Sequence, residues 1–488
     1  MEDKYIVALE IGSSKIKGAV GTVDPAGTLT VKAVEEEKVS DIVRYGCIRN
    51  VAETASAIRN VISRLEQREA PRRIEAVYLA AGGRSLKADP VQIERRLSAE
   101  TEITRALIED MTEEALSSPM HDRHVVGATI RDLRIDGTPT PRPIGQLGSH
   151  VLASMNILSC RNQLLRNLSH VIEERLRLKT RDTVIRPLAE ADLVLVPNEM
   201  RLGCVFVDFG AETTTVSVYK DGALRHLAVL PLGSRNITRD ITTLNHLEER
   251  AEELKIQGGS AIPSAERSSA YPAGSANFSA INNFVAARSN EIIANIVEQI
   301  KQSGLTADKL PGGIVIVGRG ARLNGFNQRL SEAAGMQVRV GAPGQRIHIT
   351  DGSIDPSDAV DIIAILAKAA LKPEECMPMP EPEIPEPMQH SAGLYGADSI
   401  YADHTNRMPG TEPAPEQRPA QSPTPAQQQA PAAAATPSTP KAPRFDTVGD
   451  EEPAEQPKKG GFMKNLFKSM QDRVYNLVSD TLYEEEDD

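Results

Sequence analysis

The sequence predicts an α/β protein built from two similar halves, and three observations support this prediction. Short apolar strands alternate with segments of helical periodicity through residues 1–372. A strand, an acidic residue, a glycine turn, hydroxyl residues and a second strand follow one another around Glu10, and the same order recurs around Asp208. A third apolar strand, 312–317, ends in a further glycine turn. We therefore expect two lobes, each opening with a hairpin loop.

The elements of each half follow from their periodicity. In the first half, the apolar runs 5–9 and 16–23 predict two strands, 52–65 has helical spacing, and 74–80 predicts another strand. In the second half, the runs 205–208, 214–219 and 224–230 predict three consecutive strands.

Length and composition limit the class of protein. A chain of 488 residues exceeds one core, so roughly two to four domains are expected. No apolar run reaches the ~20 residues of a membrane span, and the acidic N-terminus leads directly into a strand, so no secretory signal is expected. The four cysteines are scattered without a CxxC pair, which argues against a disulfide framework or zinc site and indicates a reducing cytoplasm.

The net charge of −12 belongs to the C-terminal part of the chain. From Pro373 onward there are 21 acidic and 9 basic residues, so the remainder is formally neutral. A neutral body has no electrostatic footprint for nucleic acid, which we do not expect as a partner. Residues 373–460 hold 18 of the 33 prolines and few large apolar residues, a composition that predicts a disordered linker.

The first loop has the residue types of a phosphate site. A carboxylate at the end of a buried strand, Glu10, can hold a hydrated Mg²⁺. Gly12 allows close approach of the backbone to a phosphate, while Ser13, Ser14 and Lys15 can add hydroxyl and cationic contacts. Taken alone, the same residues also suit an ordinary β-turn.

The second loop and the third strand repeat this chemistry. Asp208 follows its strand as Glu10 does, Gly210 provides the turn, and we match Thr213 and Thr214 to the two serines. The glycine turn after the third strand, with Gly318, Gly320 and Ala321, would let the backbone approach a nucleotide base and sugar. The alternative is an ordinary strand-to-helix turn.

In their order and spacing, these motifs resemble the actin, Hsp70 and sugar-kinase superfamily, and within it the FtsA family of bacterial cell-division proteins. Further similar segments are 152–162, 222–226, 236–241, 251–255 and 338–343. The resemblance implies a two-lobed actin-like fold with ATP and Mg²⁺ between the lobes. It implies that Glu10 and Asp208 hold the metal, through water, and that Glu252 and Lys255 contact the nucleoside. Without the resemblance, Glu252 and Lys255 would be a solvated i,i+3 pair.

The resemblance also implies the division of the chain. The first lobe comprises 1–83 and 160–202, with an FtsA-type inserted subdomain at 84–159 that includes a helix opening at Ile103-Thr104-Arg105. The second lobe comprises 203–237 and 309–372, with a smaller subdomain at 238–308. The linker at 373–460, a C-terminal amphipathic helix at 461–483 and an acidic tail at 484–488 complete the chain.

Three residues depart from the family pattern. Ala211 and Glu212 stand where relatives usually have glycine in the second loop, and Arg319 replaces another glycine. One hypothesis is that Glu212 pairs with Arg319 across the cleft; in the other, both side chains point to water. Since no general base is evident, we expect weak or no ATPase activity.

The C-terminal segment has the pattern of an amphipathic membrane-surface helix. An apolar stripe recurs every three to four residues beside basic residues, which suits shallow insertion at an anionic surface. The alternative is a helix that docks in a protein groove or forms a coiled coil. The membrane-contacting residues are predicted to be Phe462, Met463, Lys464, Leu466, Phe467, Lys468, Met470, Val474 and Leu477.

Taken with the resemblance, the sequence predicts a peripheral adaptor on the cytoplasmic face of the membrane at the division septum. The resemblance implies that it polymerises into actin-like protofilaments, binds the tubulin-like protein FtsZ and contacts other division proteins. The alternatives are an actin-like scaffold of a pilus-assembly platform and a small-molecule kinase of the same superfamily.

Overall fold

The computed structural model describes residues 3–262, 278–344 and 347–380. The strands of these residues are β1 (Lys4–Ile11), β2 (Lys15–Val23), β3 (Leu29–Lys38), β4 (Val43–Arg44), β5 (Cys47–Ile48), β6 (Ala76–Ala81), β7 (Lys87–Glu102), β8 (Arg123–Ile135), β9 (Thr138–Pro139), β10 (Leu147–Arg161), β11 (Lys179–Ile185), β12 (Cys204–Phe209), β13 (Thr214–Lys220), β14 (Ala223–Leu230), β15 (Ile314–Val317), β16 (Val338–Val340) and β17 (His348–Ile349). The helices are α1 (Val51–Arg68), α2 (Arg105–Leu116), α3 (Asn162–Ser169), α4 (Arg186–Val194), α5 (Pro197–Leu202), α6 (Ser234–Thr242), α7 (Glu248–Gly258), α8 (Phe278–Gln302), α9 (Phe326–Ala334) and α10 (Val360–Ala370).

The first lobe is built on a six-stranded mixed sheet in the order β11-β6-β1-β2-β3-β17. Strands β1 to β3 are antiparallel neighbours, whereas β6 and β11 run parallel to β1. The apolar residues of α1, α4 and α10 share one core with these strands. Three buried positions on α1, Ile58, Val61 and Leu65, recur at helical spacing and pack on this sheet, as the sequence predicts.

The second lobe repeats this arrangement with a five-stranded sheet in the order β14-β13-β12-β15-β16. Strands β12 to β14 form an antiparallel meander, and β15 joins β12 in parallel. Helices α6, α7, α8 and α9 complete a separate apolar core with this sheet. The two sheets therefore confirm the α/β class and the two similar halves.

A third sheet, in the order β7-β10-β8-β9, lies within residues 87–161. It has its own small core with helix α2, which includes the buried side chains of Ile108 and Met111. Helix α2 begins where the sequence indicates, because the hydroxyl of Thr104 accepts a hydrogen bond from the amide of Leu107 (3.2 Å) and caps the helix.

We assigned residues 309–372 to the second lobe, but the last part of this range, with β17 and α10, belongs to the first lobe. Strand β17 pairs with β3, and α10 packs in the core of the first lobe. Helix α10 packs there because its apolar residues, among them Ile362, Ile363 and Leu366, become fully buried in that core.

The body also continues past the predicted start of the linker at Pro373. The amide of Cys376 donates to the carbonyl of Tyr5 (2.7 Å), and its carbonyl accepts from Glu75 (2.9 Å). Burial of Cys376 and Met377, both 0% exposed, stabilises this segment against the first sheet. The rest of the predicted linker, 381–460, and the segment 461–488 lie outside the described residues.

Candidate functional site

The first hairpin loop joins β1 to β2. Glu10 lies opposite Lys17 at its base, and the amide of Gly12 donates to the carbonyl of Lys15 (3.0 Å) to close the turn. A Cβ atom on residue 12 would lie 2.8 Å from that carbonyl oxygen and 3.0 Å from the carboxylate of Glu10. The turn therefore needs glycine for a steric reason.

The second hairpin loop, between β12 and β13, has the same geometry. Asp208 lies opposite Thr215, and the amide of Gly210 donates to the carbonyl of Thr213 (2.9 Å). The strand registers therefore confirm that Asp208 occupies the position of Glu10.

Our match of Thr213 and Thr214 to the two serines of the first loop was wrong by two residues. Thr213 and Thr214 do not correspond to Ser13 and Ser14, because both turns close at equivalent places in their hairpins. Counted from the closing glycine, the residue at the position of Ser14 is Glu212. A neutral hydroxyl in one loop thus corresponds to a carboxylate in the other.

The third segment lies directly beside the second loop. Strand β15 ends opposite Asp208, and Gly318 follows with a φ of +86°. A Cβ on Gly318 would lie 2.5 Å from the carbonyl oxygen of Phe209, and one on Gly320 would lie 2.5 Å from the Phe209 ring. Both glycines, followed by the buried Ala321, are therefore required by packing against the end of β12.

A charge pair that the sequence did not reveal lies beneath the first loop, with a buried Lys17 and a partly buried Asp361. The ammonium of Lys17 donates to both carboxylate oxygens of Asp361 (2.8 and 2.7 Å) and to the carbonyl of Asp358 (2.8 Å). Burial opposes ionisation of Asp361, but the charge and hydrogen bonds of Lys17 outweigh it and lower the pKa of that carboxyl.

A second buried cation lies at the base of the second loop. The guanidinium of Arg186, the first residue of α4, lies 2.9 Å from the carboxylate of Asp208 and 3.3 Å from that of Glu190. Burial still raises the pKa of both carboxyls, that of Glu190 well above its usual range.

Glu10 belongs to the same buried group. Burial, with the nearby charge of Asp361, raises the pKa of Glu10 to about 7, although Arg186 and Lys17 act in the opposite direction. The two loops therefore share one polar centre, in which Glu10 and Asp208 are joined by Lys17, Arg186, Glu190 and Asp361.

Glu212 turns inward and not toward water. Only 2% of its side chain is exposed, and its carboxylate accepts the Tyr45 amide (2.7 Å) and pairs with the Nε atom of Arg44 (2.9 Å). Arg239 and Arg235 also lie within 3.3 and 3.6 Å. The residue that we proposed as its partner, Arg319, pairs instead with Glu36 (3.0 Å) and is 46% exposed. Neither hypothesis for the pair was therefore right.

The other predicted contact residues of the loops already have partners in the chain. The hydroxyl of Ser13 accepts the Gly46 amide (3.2 Å), and the carbonyl of Ser14 accepts the Val39 amide (2.9 Å). The ammonium of Lys15 pairs with the carboxylate of Glu36. The hydroxyl of Thr214 donates to the carbonyl of Leu232 (2.8 Å), and Thr213 is buried in the turn.

Glu252 and Lys255 lie together on α7. The ammonium of Lys255 donates to Glu252 (2.7 Å), to the hydroxyl of Thr238 (2.9 Å) and to the carbonyl of Ser234 (3.2 Å). Burial lowers the pKa of Lys255, while Glu252 acts against this shift. This pair ties α7 to α6, and its role toward a nucleoside stays a prediction.

The fit of these residues to Mg²⁺ and ATP differs from one part of the site to another. Both loop backbones suit a phosphate, since each turn is closed by a glycine, whose backbone can approach a phosphate without a side chain. Glu10 suits a metal ligand, because it is buried beside Asp208 and Asp361 and negative charge is in excess there. Asp208 suits this role less well, since Arg186 already neutralises it.

The predicted membrane-contacting residues between Phe462 and Leu477 lie outside the described residues. Within the described ranges, no helix combines the length and apolar character needed to cross a membrane.

Comparisons with known proteins agree with this architecture. The family model "Cell division protein FtsA" matches residues 205–361. The chain is 29% identical to the cell division protein FtsA of Porphyromonas gingivalis over 337 residues, which cover 67% of this chain and 70% of the relative. It is 28% identical to that of Neisseria meningitidis serogroup B over 413 residues, which cover 80% and 96%. Among solved structures, a chain of the PilM–PilN type IV pilus biogenesis complex matches with a TM-score of 0.52 at 15% identity, covering 75% of this chain and 99% of that one.

Two similar lobes, each opening with a hairpin loop at a common polar centre, form an actin-like fold. The structural match supports this fold alone. By sequence, the chain is similar to the FtsA family of cell-division proteins.

Proposed function

We propose that this chain is a cell-division adaptor that binds ATP between its lobes, assembles into actin-like protofilaments and ties FtsZ filaments to the cytoplasmic face of the membrane at the septum. Sequence similarity to the FtsA family carries this proposal. The remaining parts rest on particular residues and are tested separately.

Nucleotide binding rests on the two hairpins. The turns at Gly12 and Gly210 would hold phosphates through backbone amides, and Glu252 and Lys255 would face the nucleoside. Glu10 would hold Mg²⁺, which supplies positive charge next to the phosphates. We expect weak or no hydrolysis. Titration of labelled ATP measures binding, and release of inorganic phosphate measures turnover; the absence of binding at millimolar nucleotide would refute this part.

Binding of FtsZ is proposed for the subdomain at 238–308, in whose described residues two large apolar side chains are exposed. Leu247, just before α7, is 78% exposed, and Ile256 on α7 is 74% exposed. Unpaired apolar side chains of this size suit a protein partner. We expect Ile256→Asp to weaken FtsZ binding at least tenfold in a pull-down, whereas Leu202→Asp, on the similarly exposed Leu202 of α5, should not. Equal effects of both variants would contradict this assignment, and retention of pilus-assembly proteins in place of FtsZ would favour the pilus-platform alternative.

Membrane attachment is proposed for residues 461–483 on the pattern of their sequence. Co-sedimentation of the full chain with vesicles containing anionic lipid should be lost when residues 461–488 are deleted. Replacing Lys464 and Lys468 by glutamate should reduce pelleting and its dependence on anionic lipid. Undiminished pelleting of the deletion variant would refute this role.

A further inference from the structure

We propose that Glu212 is a built-in anion that occupies an arginine-lined phosphate site, so that the terminal phosphates of a nucleotide bind only by displacing it. This inference rests on the proposed binding of a nucleotide between the lobes and adds the residues that control it.

The carboxylate of Glu212 has the surroundings of a bound anion. One oxygen accepts the amide of Tyr45 (2.7 Å). The other lies 2.9 Å from Arg44, 3.3 Å from Arg239 and 3.6 Å from Arg235. Three guanidinium groups lie within 3.6 Å of this carboxylate, and a backbone N–H donates to it. Proteins use the same groups to bind phosphate.

These contacts join the two lobes at the hairpin loops. Arg44 and Tyr45 belong to the β4–β5 hairpin beside the first sheet, whereas Glu212 lies in the turn of the second loop and Arg235 on α6. Arg235 also donates to the carbonyl of Ser13 in the first loop (3.3 Å). The carboxylate therefore lies at a point that both loops reach.

The surrounding charges favour a more highly charged anion. Asp41 contacts Arg44 (3.1 Å), and Glu248 contacts Arg235 (2.8 Å), but these two carboxylates are 60% and 37% exposed and water screens them. Glu212 is thus the buried counter-charge to three arginines. A polyphosphate carries more charge and more acceptor oxygens than a carboxylate, so it can satisfy the same donors.

The position of Glu212 also makes simultaneous binding unfavourable. It corresponds to Ser14 of the first loop, where a hydroxyl can donate to a phosphate. A carboxylate at that position only accepts hydrogen bonds and repels a phosphate in a partly buried cleft. Removing its charge should therefore tighten nucleotide binding.

The test is a titration of the full-length chain with fluorescently labelled ATP in Mg²⁺ buffer. We expect Glu212→Gln to bind at least about tenfold more tightly than the wild type, a gain of about 1.4 kcal/mol. Glu248→Gln is the matched control, because it makes the same change at an exposed partner of Arg235 and should leave affinity unchanged. Adding Arg239→Gln to Glu212→Gln should remove most of the gain. Glu212→Ser, which installs the residue type of the first loop, is the second variant if the amide does not fold, as judged by circular dichroism.

The outcomes separate this inference from nucleotide binding itself. Equal affinity of the wild type, Glu212→Gln and Glu212→Ser for ATP would overturn the inference and leave nucleotide binding intact. If the variants bind inorganic tripolyphosphate more tightly than the wild type but no protein binds ATP, the anion site stands and nucleotide binding fails. Failure of all proteins to bind either probe would overturn both.

Discussion

Arg186 offers a sharp test of the buried centre between the two loops. Its guanidinium lies 2.9 Å from Asp208 and 3.3 Å from Glu190, whose side chains are only 3% and 1% exposed. The substitution Arg186→Gln would leave both carboxylates in the core without their cation. Removing one member of a buried ion pair typically costs about 3–5 kcal/mol.

The pH dependence of this loss has a definite sign. Burial already raises the pKa of Asp208 and of Glu190, and the loss of Arg186 raises both further. The variant can therefore relieve its unpaired charge by taking up a proton. We expect a loss of about 3 kcal/mol at pH 8 that becomes smaller at pH 5.5, because protonation stabilises the folded variant there.

Urea unfolding followed by circular dichroism measures this loss at both pH values. Arg322→Gln is the matched control, since Arg322 also contacts two carboxylates, Asp355 and Asp358, but is 50% exposed. Exposed pairs of this kind contribute about 0–1 kcal/mol. A loss for Arg186→Gln that is no larger than that of the control, or one that grows as the pH falls, would refute the reasoning.

Three further substitutions test the rest of the structure. Burial raises the pKa of Glu10 from 4.5 to about 7. Between these pH values the folded state therefore binds more protons than the unfolded state. As a result, the free energy of unfolding of the wild type falls by up to roughly 3 kcal/mol as the pH rises from about 4.5 to about 7. Glu10→Gln in metal-free buffer should therefore gain stability over the wild type across that window, and parallel pH curves would argue against the shift. Gly320→Ala should destabilise the chain by about 1–3 kcal/mol through its clash with the Phe209 ring, whereas Gly352→Ala, with open space around it, should change thermal stability little. Met111→Ala should cost about 2–5 kcal/mol in the small core of the third sheet, and a change below 1 kcal/mol would show that this core contributes little to stability.

The sequence predicted those parts of the structure that depend on residues close together in the chain. The hairpins at Glu10 and Asp208 follow from apolar strands around a glycine turn, and each register is closed within a few residues. The cap of α2 at Thr104 is equally local. Such features depend on steric and hydrogen-bonding rules that act along the chain.

What could not be predicted depends on residues far apart in the sequence. Lys17 and Asp361 are 344 positions apart, and each by itself has the appearance of an ordinary surface charge. The amide of Tyr45 lies 167 positions from Glu212 and draws its carboxylate inward. No local pattern indicates which of the many charged side chains will be buried, since burial is favourable only once the partner is in place.

The backbone contacts of Cys376 have a mechanical consequence. This residue is hydrogen-bonded to Tyr5, which lies on β1, and to Glu75, which lies just before β6; the two strands are neighbours inside the first sheet. A force applied to the chain beyond residue 380 would thus enter the molecule through the first lobe. That force would reach the second lobe through the backbone that joins the lobes and through contacts between them, such as the one between Glu212 and Arg44. Tension on the C-terminal segment would then act on the same cleft in which we place the nucleotide.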